Sequence, residues 1–545
     1  MVSSLTADLT ARLAALAGAD PELRPATKPE FGHFQSNLAL RLGKQQGRNP
    51  REVANELVAA VHLDDICRPV EIAGPGFLNF RLRDDALAQS VTALLADPRL
   101  GIVPVDPAQR VVIDYSSPNV AKQMHIGHLR TTIIGDCFTR VLRATGSTVI
   151  PQNHIGDWGR QFGMLIEQLL DEDLDLGQLD LAGAEALYLR ANSRFDQDAD
   201  FADRARGRVV LLQAGDDETR DIWHQLIAVS LAGFNRTYDR LGVLLTDDDI
   251  AGESSYNSDL PDIADDLERR GIAVIDDGAL VVFVDGFDAP AIIRNRAGGY
   301  GYDVTDVAAI RRRVGQMNAN RLVYVTDARQ HGHFELIFAV CRRAGYLPDD
   351  VVAEHVGYGM VLGPDGRPFK TREGTAAYLD DLLTEAERLS TPAVALAAIK
   401  YADLSNQLQK DYVFDADRMT ATTGDTGPYL QYAHARVTQI LARADAEGLA
   451  WGAVTTITET AETDLALALD GFGDVVAEVA AKLTPHKLCT YLYDLASKLS
   501  VFYEQCPVLR SEGDVRASRL ALCAVTKQVL ARGLDLLGIA APDRM

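Results

Sequence analysis

Apolar positions along this chain alternate between two rhythms, and their order sketches an architecture. Short apolar runs bounded by turn residues read as buried strands, and spacings of three and four read as helices. The segment VVIDYSSPNVAKQMHIGHLRTTIIGDCFTRVLRATG, Val111 to Gly146, holds both. Val111, Val112 and Ile113 predict a strand, which Ser116, Ser117, Pro118 and Asn119 break. From about His125 the positions Ile126, Leu129, Ile133, Ile134, Phe138 and Val141 predict a helix that ends at Gly146, with Arg140 and Arg143 in its last turns. Ser147 to Gln152 is a second strand, so the stretch is a βαβ unit with parallel strands. The same alternation returns from Ala291 to Gly345. There Gly298-Gly299-Tyr300 is a turn, Thr305–Val314 a helix, Arg321–Thr326 a buried strand and Phe334–Ala344 a helix.

Residues 1–107 mix the rhythms. Ala7–Leu16, Leu38–Leu42 and Val53–Val61 are helical, while Val70–Ile72 and Phe77–Leu82 are strands joined by Gly74-Pro75-Gly76. Leu165 to about Asp288 is acidic and mostly helical, near Ala184–Arg194, Asp203–Gln213 and Ile222–Leu241, with no metal spacing and no nucleophile constellation. From Thr391 the chain is helical to its end, opened by Pro392. The pattern predicts a Rossmann-type α/β core over 108–390, interrupted by a helical insertion at about 165–288. It is flanked by a small α+β domain, 1–107, and an all-α helical bundle, 391–545.

Composition changes this picture little. A chain of 545 residues has room for several cores. The N-terminal MVSSLTADLT has no basic or apolar signal region, and no apolar run reaches the ~18 residues of a membrane span, so a cytoplasmic protein without membrane attachment is expected. Six cysteines without a Cys-x-x-Cys pair read as buried thiols and not as a structural zinc site. A net charge of −23 points away from nucleic acid, because phosphate contacts need Lys and Arg. Binding, however, follows local potential, and acids cluster at Asp171–Asp180 and Asp247–Asp249, on faces expected to be solvated.

Candidate chemistry gathers where strands end. A helix start offers unpaired N–H groups and a positive dipole end, suited to phosphate. His125 and His128, three apart, share the first turn, Gly127 removes a side chain between them, and Lys122 lies just upstream. A metal pair is the alternative, but a structural zinc site normally takes four ligands. Asn153 to Gly159 follows the next strand as a second candidate wall; its His154 reads equally well as a turn residue. Asp327 to His331 follows Arg321–Thr326 in the same way. In open parallel sheets, ligands bind beyond these carboxyl ends. Asp306 reads either as a first-turn acid complementing a helix dipole or as the partner of a guanidinium, which a carboxylate binds through two parallel hydrogen bonds.

His125-Ile126-Gly127-His128 resembles the HIGH signature of class I aminoacyl-tRNA synthetases, and the surrounding SSPNVAKQMHIGHLRTTIIGD resembles its arginyl-tRNA synthetase form. FGHFQSN and VEIAGPGFLNFRL resemble that family's N-terminal domain, and GDTGPYLQYAHARVTQIL and the terminal APDRM its anticodon-binding domain. The resemblance implies a class I catalytic core, tRNA(Arg), L-arginine and ATP with Mg2+ as partners, no membrane, and a monomer. It implies that bound tRNA is needed before arginine is activated. It places Tyr302, Asp306 and Gln330 around the arginine side chain, and Ser117 and Asn119, with Asp114 beside them, at its amino and carboxylate end. His125, Gly127, His128, Lys122, Met360, Val361 and Lys370 fall to ATP, with His125, His128, Lys122 and Lys370 catalytic; Tyr432, Arg436 and Met545 fall to tRNA. The N-terminal domain would meet the outer corner of tRNA, or serve only as a docking domain.

The sequence departs from the family's KMSKS loop. In GYGMVLGPDGRPFKTREGT, Gly357 to Thr375, one register puts Lys370 at the second lysine and another puts Thr371 there, leaving Lys122 to carry the phosphate. Two other readings remain. A cysteinyl or glutamyl enzyme would keep both histidines but would not need Asp306. A non-enzymatic tRNA-binding relative should have lost His125, His128 or Lys122.

Overall fold

The computed structural model describes residues 3–363, 365–367 and 377–545. Internal contacts divide the chain into two compact units, Met1–Pro104 with Ala421–Met545, and Val105–Thr420.

The second unit is built on a four-stranded parallel sheet. In spatial order its strands are Val352–Tyr358, Arg321–Asp327, Arg110–Asp114 and Thr148–Gln152. Val111, Val112 and Ile113 are at most 1% exposed, the near-continuous apolar run of a strand covered on both faces. The predicted βαβ unit is present, with its helix at Ile126–Ala144. Helices Tyr302–Gly315 and His331–Ala344 pack Val304, Val307, Ile310, Ile337 and Cys341 against Leu322 and Tyr324 of the sheet. Residues 391–420 group with this unit. Their Asp403 forms a buried ion pair with Arg130 at 3.2 Å, and Arg130 also donates to the carbonyls of Gly359 and Lys410 at 2.9 and 3.1 Å.

The insertion is helical over Arg160–Asp171, Leu181–Gln197, Ala199–Ala214 and Asp217–Leu241, and it buries Phe162, Leu165, Ile166, Leu187 and Leu226 together. One stretch differs from the helical expectation. Val274–Asp276 and Ala279–Val282 form a hairpin, joined by Ala291–Arg294 into an antiparallel sheet. Its turn is Asp277-Gly278, with φ of 46° and 77°, the left-handed pair that a two-residue hairpin loop needs. An Asp-Gly between apolar runs is a hairpin signal in its own right, but the surrounding acidic helices masked it. The helical run from Thr391 is likewise broken, because Tyr412–Val413 pairs in parallel with Val361–Leu362.

In the first unit an antiparallel sheet of Arg24–Pro25, Phe34–Ser36, Phe77–Phe80 and Glu71–Ala73 lies among helices Leu5–Ala17, Leu38–Gln46, Pro50–Ala60 and Asp84–Ala96. Five helices, Gly427–Ala446, Thr460–Asp470, Phe472–Lys482, Pro485–Gln505 and Gly513–Leu536, form the bundle. The two parts interlock, since the amide of Leu5 donates to the buried Asp470 carboxylate at 2.9 Å and Ser90 donates to the same group. Among the described residues no helix is long and apolar enough to cross a membrane.

Candidate active site

The loop between the first strand of the sheet and the Ile126 helix is held in an unusual backbone conformation. Ser116, Ser117 and Ala121 have φ of 73°, 49° and 61°, the left-handed region that non-glycine residues rarely adopt. Such residues persist where the surroundings over-determine them. Here the Ser116 amide donates to Thr131 Oγ1 at 3.0 Å, and Ser116 Oγ shares a 2.7 Å hydrogen bond with the Tyr238 hydroxyl. The Ser117 amide donates to Asn153 Oδ1 and the Ala121 amide to Ser230 Oγ, at 3.0 and 2.9 Å. Asn153 and Tyr238 also bond each other at 3.0 Å, so the second wall and the insertion together brace the loop.

The loop ends at an uncommon helix cap. His125 occupies the N-cap with extended backbone, and its Nδ1 accepts from the Gly127 amide at 3.1 Å. Nδ1 of His128 accepts from the His125 amide at 3.1 Å, completing a reciprocal capping box. An imidazole that accepts at Nδ1 carries its proton on Nε2. Both rings therefore serve as neutral Nε2–H donors. Burial lowers His125, and burial with the neighbouring His125 ring pushes His128 down to about 3. Gly127 has a specific reason to be there. A Cβ at this position would lie 2.8 Å from His125 Cε1, so the glycine makes room for the capping ring. Lys122 Nζ lies 4.5 Å from the centre of the Tyr188 ring, and Gln123 donates to Glu185 at 2.8 Å, both on the Leu181–Gln197 helix.

Asp114, expected beside the substrate's backbone end, is engaged on both oxygens. Oδ2 meets Arg313 at 2.6 Å and Oδ1 accepts from Ser117 Oγ at 3.1 Å. Ser117 is half-buried, and Asn119 is exposed and bridged to Gly156.

Tyr302 and Asp306 sit in the first turns of a helix that starts three residues earlier than its apolar spacing predicts. Tyr302 is 70% exposed and its ring lies 5.2 Å from that of His333. Asp306 Oδ2 is 2.6 Å from His333 Nε2, and Asp303 is 3.5 Å from His333 Nδ1. The charge of Asp306 is felt by Glu253, whose carboxyl is pushed up to about 7 by burial and then by Asp157 and Asp306. Burial also raises Asp157 and Asp303. Glu253 and Asp306 thus act on each other, with Asp157 acting on the first and Asp303 on the side of the second. A cavity of about 950 Å3 adjoins them, lined by Trp158, Glu253, Tyr300, Tyr302 and Thr305 among others. Sequence reasoning found Asp306 but missed Glu253, Asp303 and His333, whose pattern is that of ordinary loop and first-turn residues. Gln330 caps the next helix and is exposed. His154 stacks on Tyr256 at 5.5 Å, and its Nδ1 has no hydrogen-bond partner among the described residues.

The backbone of Met360 is already occupied. Its amide donates to Asp411 Oδ1 at 2.6 Å and its carbonyl accepts from the Tyr412 amide at 3.1 Å, while Val361 pairs with Tyr412 in the short parallel ladder. The Met360 side chain is 39% exposed. Lys370, with the rest of residues 368–376, lies outside the described residues. Among the described residues no three His, Cys, Asp or Glu side chains gather to hold a metal ion.

In the other unit, Tyr432, Arg436 and Met545 line one cavity of about 960 Å3, with Arg443, Tyr503 and Arg544. The Arg436 guanidinium lies 4.9 Å from the ring of Tyr432 and 5.0 Å from that of Tyr503.

Comparison with known proteins covers the chain in three parts. Residues 3–82 match the arginyl tRNA synthetase N terminal domain, 90–392 the catalytic domain of tRNA synthetases class I (R), and 430–545 the DALR anticodon binding domain. An arginine–tRNA ligase of Cutibacterium acnes is 64% identical over 100% of both chains, and one of Frankia casuarinae is 50% identical over 97% of this chain and 95% of its own. Among solved structures, the arginyl-tRNA synthetase of Thermus thermophilus superposes with a TM-score of 0.85 at 26% identity, covering 99% of this chain and 100% of that one. That of Plasmodium falciparum gives 0.83 at 27%, covering 100% of each. With a class I core, a small N-terminal domain and a helical C-terminal bundle all matched, the chain belongs to the arginyl-tRNA synthetase family.

Proposed function

We propose that the chain activates L-arginine with ATP and passes it to tRNA(Arg), the guanidinium entering the recess of Asp306 and Glu253. The arginine carboxylate attacks the α-phosphate of ATP, giving arginyl-adenylate and pyrophosphate. The 2′-hydroxyl of the terminal tRNA adenosine then takes the arginyl group and AMP leaves. The observation that carries the reading is the acidic pair of Asp306 and Glu253 beside the helix start, Glu253 being pushed up to about 7 by burial and then by the charges of Asp157 and Asp306. A planar guanidinium matches carboxylate geometry through paired hydrogen bonds, which a lysine ammonium cannot do.

No protein nucleophile takes part, so rate comes from positioning and charge stabilisation. Ser117 and Asn119 hold the amino and carboxylate end, and Asp114 acts through them by fixing Ser117 and Arg313. Tyr302 and Gln330 rim the side-chain pocket. The Nε2–H groups of His125 and His128 donate to phosphate as neutral dipoles, and Lys122 supplies the charge, with Lys370 sharing that role. Gly127 lets the phosphates approach the helix start, and the Met360 side chain and Val361 flank the adenine. Mg2+ arrives on the phosphates of ATP as part of the substrate. The small N-terminal domain meets the outer corner of tRNA, and Tyr432, Arg436 and Met545 receive an unstacked base between aromatic and guanidinium faces.

Pyrophosphate exchange into ATP, assayed with each amino acid in the presence and absence of tRNA, tests the reading. Arginine alone should support exchange, and only with tRNA present. Equal exchange with glutamate or cysteine would remove the guanidinium assignment, and no exchange with any amino acid would leave a tRNA-binding protein without activity.

A further inference from the structure

The His333 ring is set between two carboxylates. Its Nε2 lies 2.6 Å from Asp306 Oδ2 and its Nδ1 3.5 Å from Asp303 Oδ1, with side-chain exposures of 21%, 19% and 11%. Asp303 is held in place by the Ile292 amide, 2.7 Å away. An imidazole with an acceptor facing each nitrogen has the surroundings of an imidazolium, in which both nitrogens donate. Tyr302 and Phe334 close on the ring, each 5.2 Å away. On the neighbouring strand, His355 is lowered to about 4 by burial and then by His331, with a smaller share from the charge of His333. From beyond Asp306, Glu253 faces the same carboxylate.

In the free protein, then, the carboxylate intended for a guanidinium already has a cation. We propose that His333 is a proton-linked positioning residue for arginine: it holds Asp306 in place as an imidazolium and gives up one proton to solvent when the guanidinium takes Asp306. The inference rests on the reading of Asp306 as guanidinium partner. The exchange conserves charge, one proton leaving as one guanidinium arrives. The neutral ring keeps its Nε2–H on one lone pair of Asp306 and leaves the remaining lone pairs to the substrate. Two cations on one half-buried carboxylate would repel at close range, so the ring discharges in preference to the guanidinium, which does not deprotonate in proteins. Burial on its own would lower His333, but the hydrogen bond to Asp306 and the charges of Asp306 and Asp303 outweigh it and raise the ring's pKa. Arginine must therefore displace a proton over part of the neutral range.

The test is kcat/KM for arginine in the complete aminoacylation reaction, with saturating ATP and tRNA, from pH 6 to 8.5. That ratio reports ionisations of the protein before arginine binds. Glu253 must also lose a proton to meet the guanidinium and titrates in the same sense, so variants carry the decision. The wild-type acid limb should approach a slope of two, that is, about a hundredfold per pH unit at its steepest. His333→Gln should reduce it to one, with kcat/KM near the wild-type value at pH 8.5 and kcat/KM for ATP unaltered. Glu253→Gln, which leaves the ring in place, should also keep a limb of slope one. The proposal is overturned if His333→Gln keeps the wild-type slope, if it lowers kcat/KM equally at every pH, or if the Glu253→Gln profile is flat. Asp306→Asn separates the two readings. If it uses arginine normally, the guanidinium assignment fails and this inference with it. If it loses arginine while His333→Gln titrates like wild type, only this inference fails.

Discussion

Arg313 donates to Asp114 across 2.6 Å, and the pair is buried, with side chains 1% and 9% exposed. The same guanidinium reaches Gln152 Oε1 at 2.6 Å. One side chain thus fastens the helix that carries Tyr302 and Asp306 to the carboxyl ends of two adjacent strands, one leading into Ser117 and the other into Asn153. Both ends of the proposed arginine pocket are referred to the same ion pair.

Arg313→Leu should therefore be costly. Removing one partner of a buried pair typically costs about 3–5 kcal/mol, because the other charge is left uncompensated. Urea denaturation should show an earlier transition, and KM for arginine should rise while KM for tRNA stays near its starting value. Arg313→Lys should not rescue either property, because an ammonium lacks the fork that serves Asp114 and Gln152 together. A lysine variant with native stability would show that the pair is incidental.

Lys122 rests over Tyr188, so the insertion helps place the lysine proposed to meet phosphate. Lys122→Ala should lower the rate of arginine activation more than the affinity for ATP. A cation–π contact at a partly exposed site is worth about 0.5–1 kcal/mol, so Tyr188→Leu should lower the rate roughly two- to fivefold. In the double variant the Tyr188 effect should vanish. An unaltered single-turnover rate in Lys122→Ala would transfer the charge stabilisation to Lys370.

The two signature histidines give a pH effect of definite sign. His128 is held near 3 in the folded protein, below the 6.5 of a free ring. A ring whose pKa is lower folded than unfolded destabilises the fold as protons become available. Its contribution is complete above pH 6.5 and is lost as pH falls from 6.5 toward 3. His128→Gln should remove that share of the acid sensitivity and, by taking away one phosphate donor, lower activation about 10²- to 10³-fold. Stability that declines identically with acid in the variant would contradict the neutral, Nδ1-accepting ring.

Much of this was legible in the sequence, and the limits have physical causes. The strand, break and helix from Val111 to Gly146 were readable because a parallel strand buried on both faces must be apolar throughout and a helix must repeat at three and four. The start of the Tyr302 helix was not, since its first turn offers a single buried apolar residue, Val304, among Tyr302, Asp303 and Thr305. Asp306 stood out as an acid at a helix start. Its companions did not: Glu253 approaches from a separate segment and His333 from the next helix, and no local pattern records a carboxylate's partner across the fold. Asp114 entered only through the family resemblance, and no local pattern records that Arg313 and Ser117 meet its two oxygens. The Asp277-Gly278 hairpin was written in the chain and was overlooked beneath the acidic helical pattern.

In the bundle, Arg436 lies between Tyr432 and Tyr503 at the mouth of a cavity. Base–aromatic stacking is worth about 1–3 kcal/mol per base, so Tyr432→Leu should raise KM for tRNA roughly tenfold to a hundredfold, with KM for arginine little altered. Filter-binding of labelled tRNA should show the same loss. A variant that binds tRNA normally would return Tyr432 to the ordinary packing of a bundle surface.

The central claim is that the recess around Asp306 recognises the guanidinium of arginine. The most direct measurement is the aminoacylation rate of Asp306→Asn as a function of arginine, with KM for tRNA measured alongside. Asparagine keeps the shape and removes the charge. The account predicts that use of arginine is crippled while KM for tRNA is preserved. Near-normal charging of tRNA at wild-type arginine concentrations would contradict it.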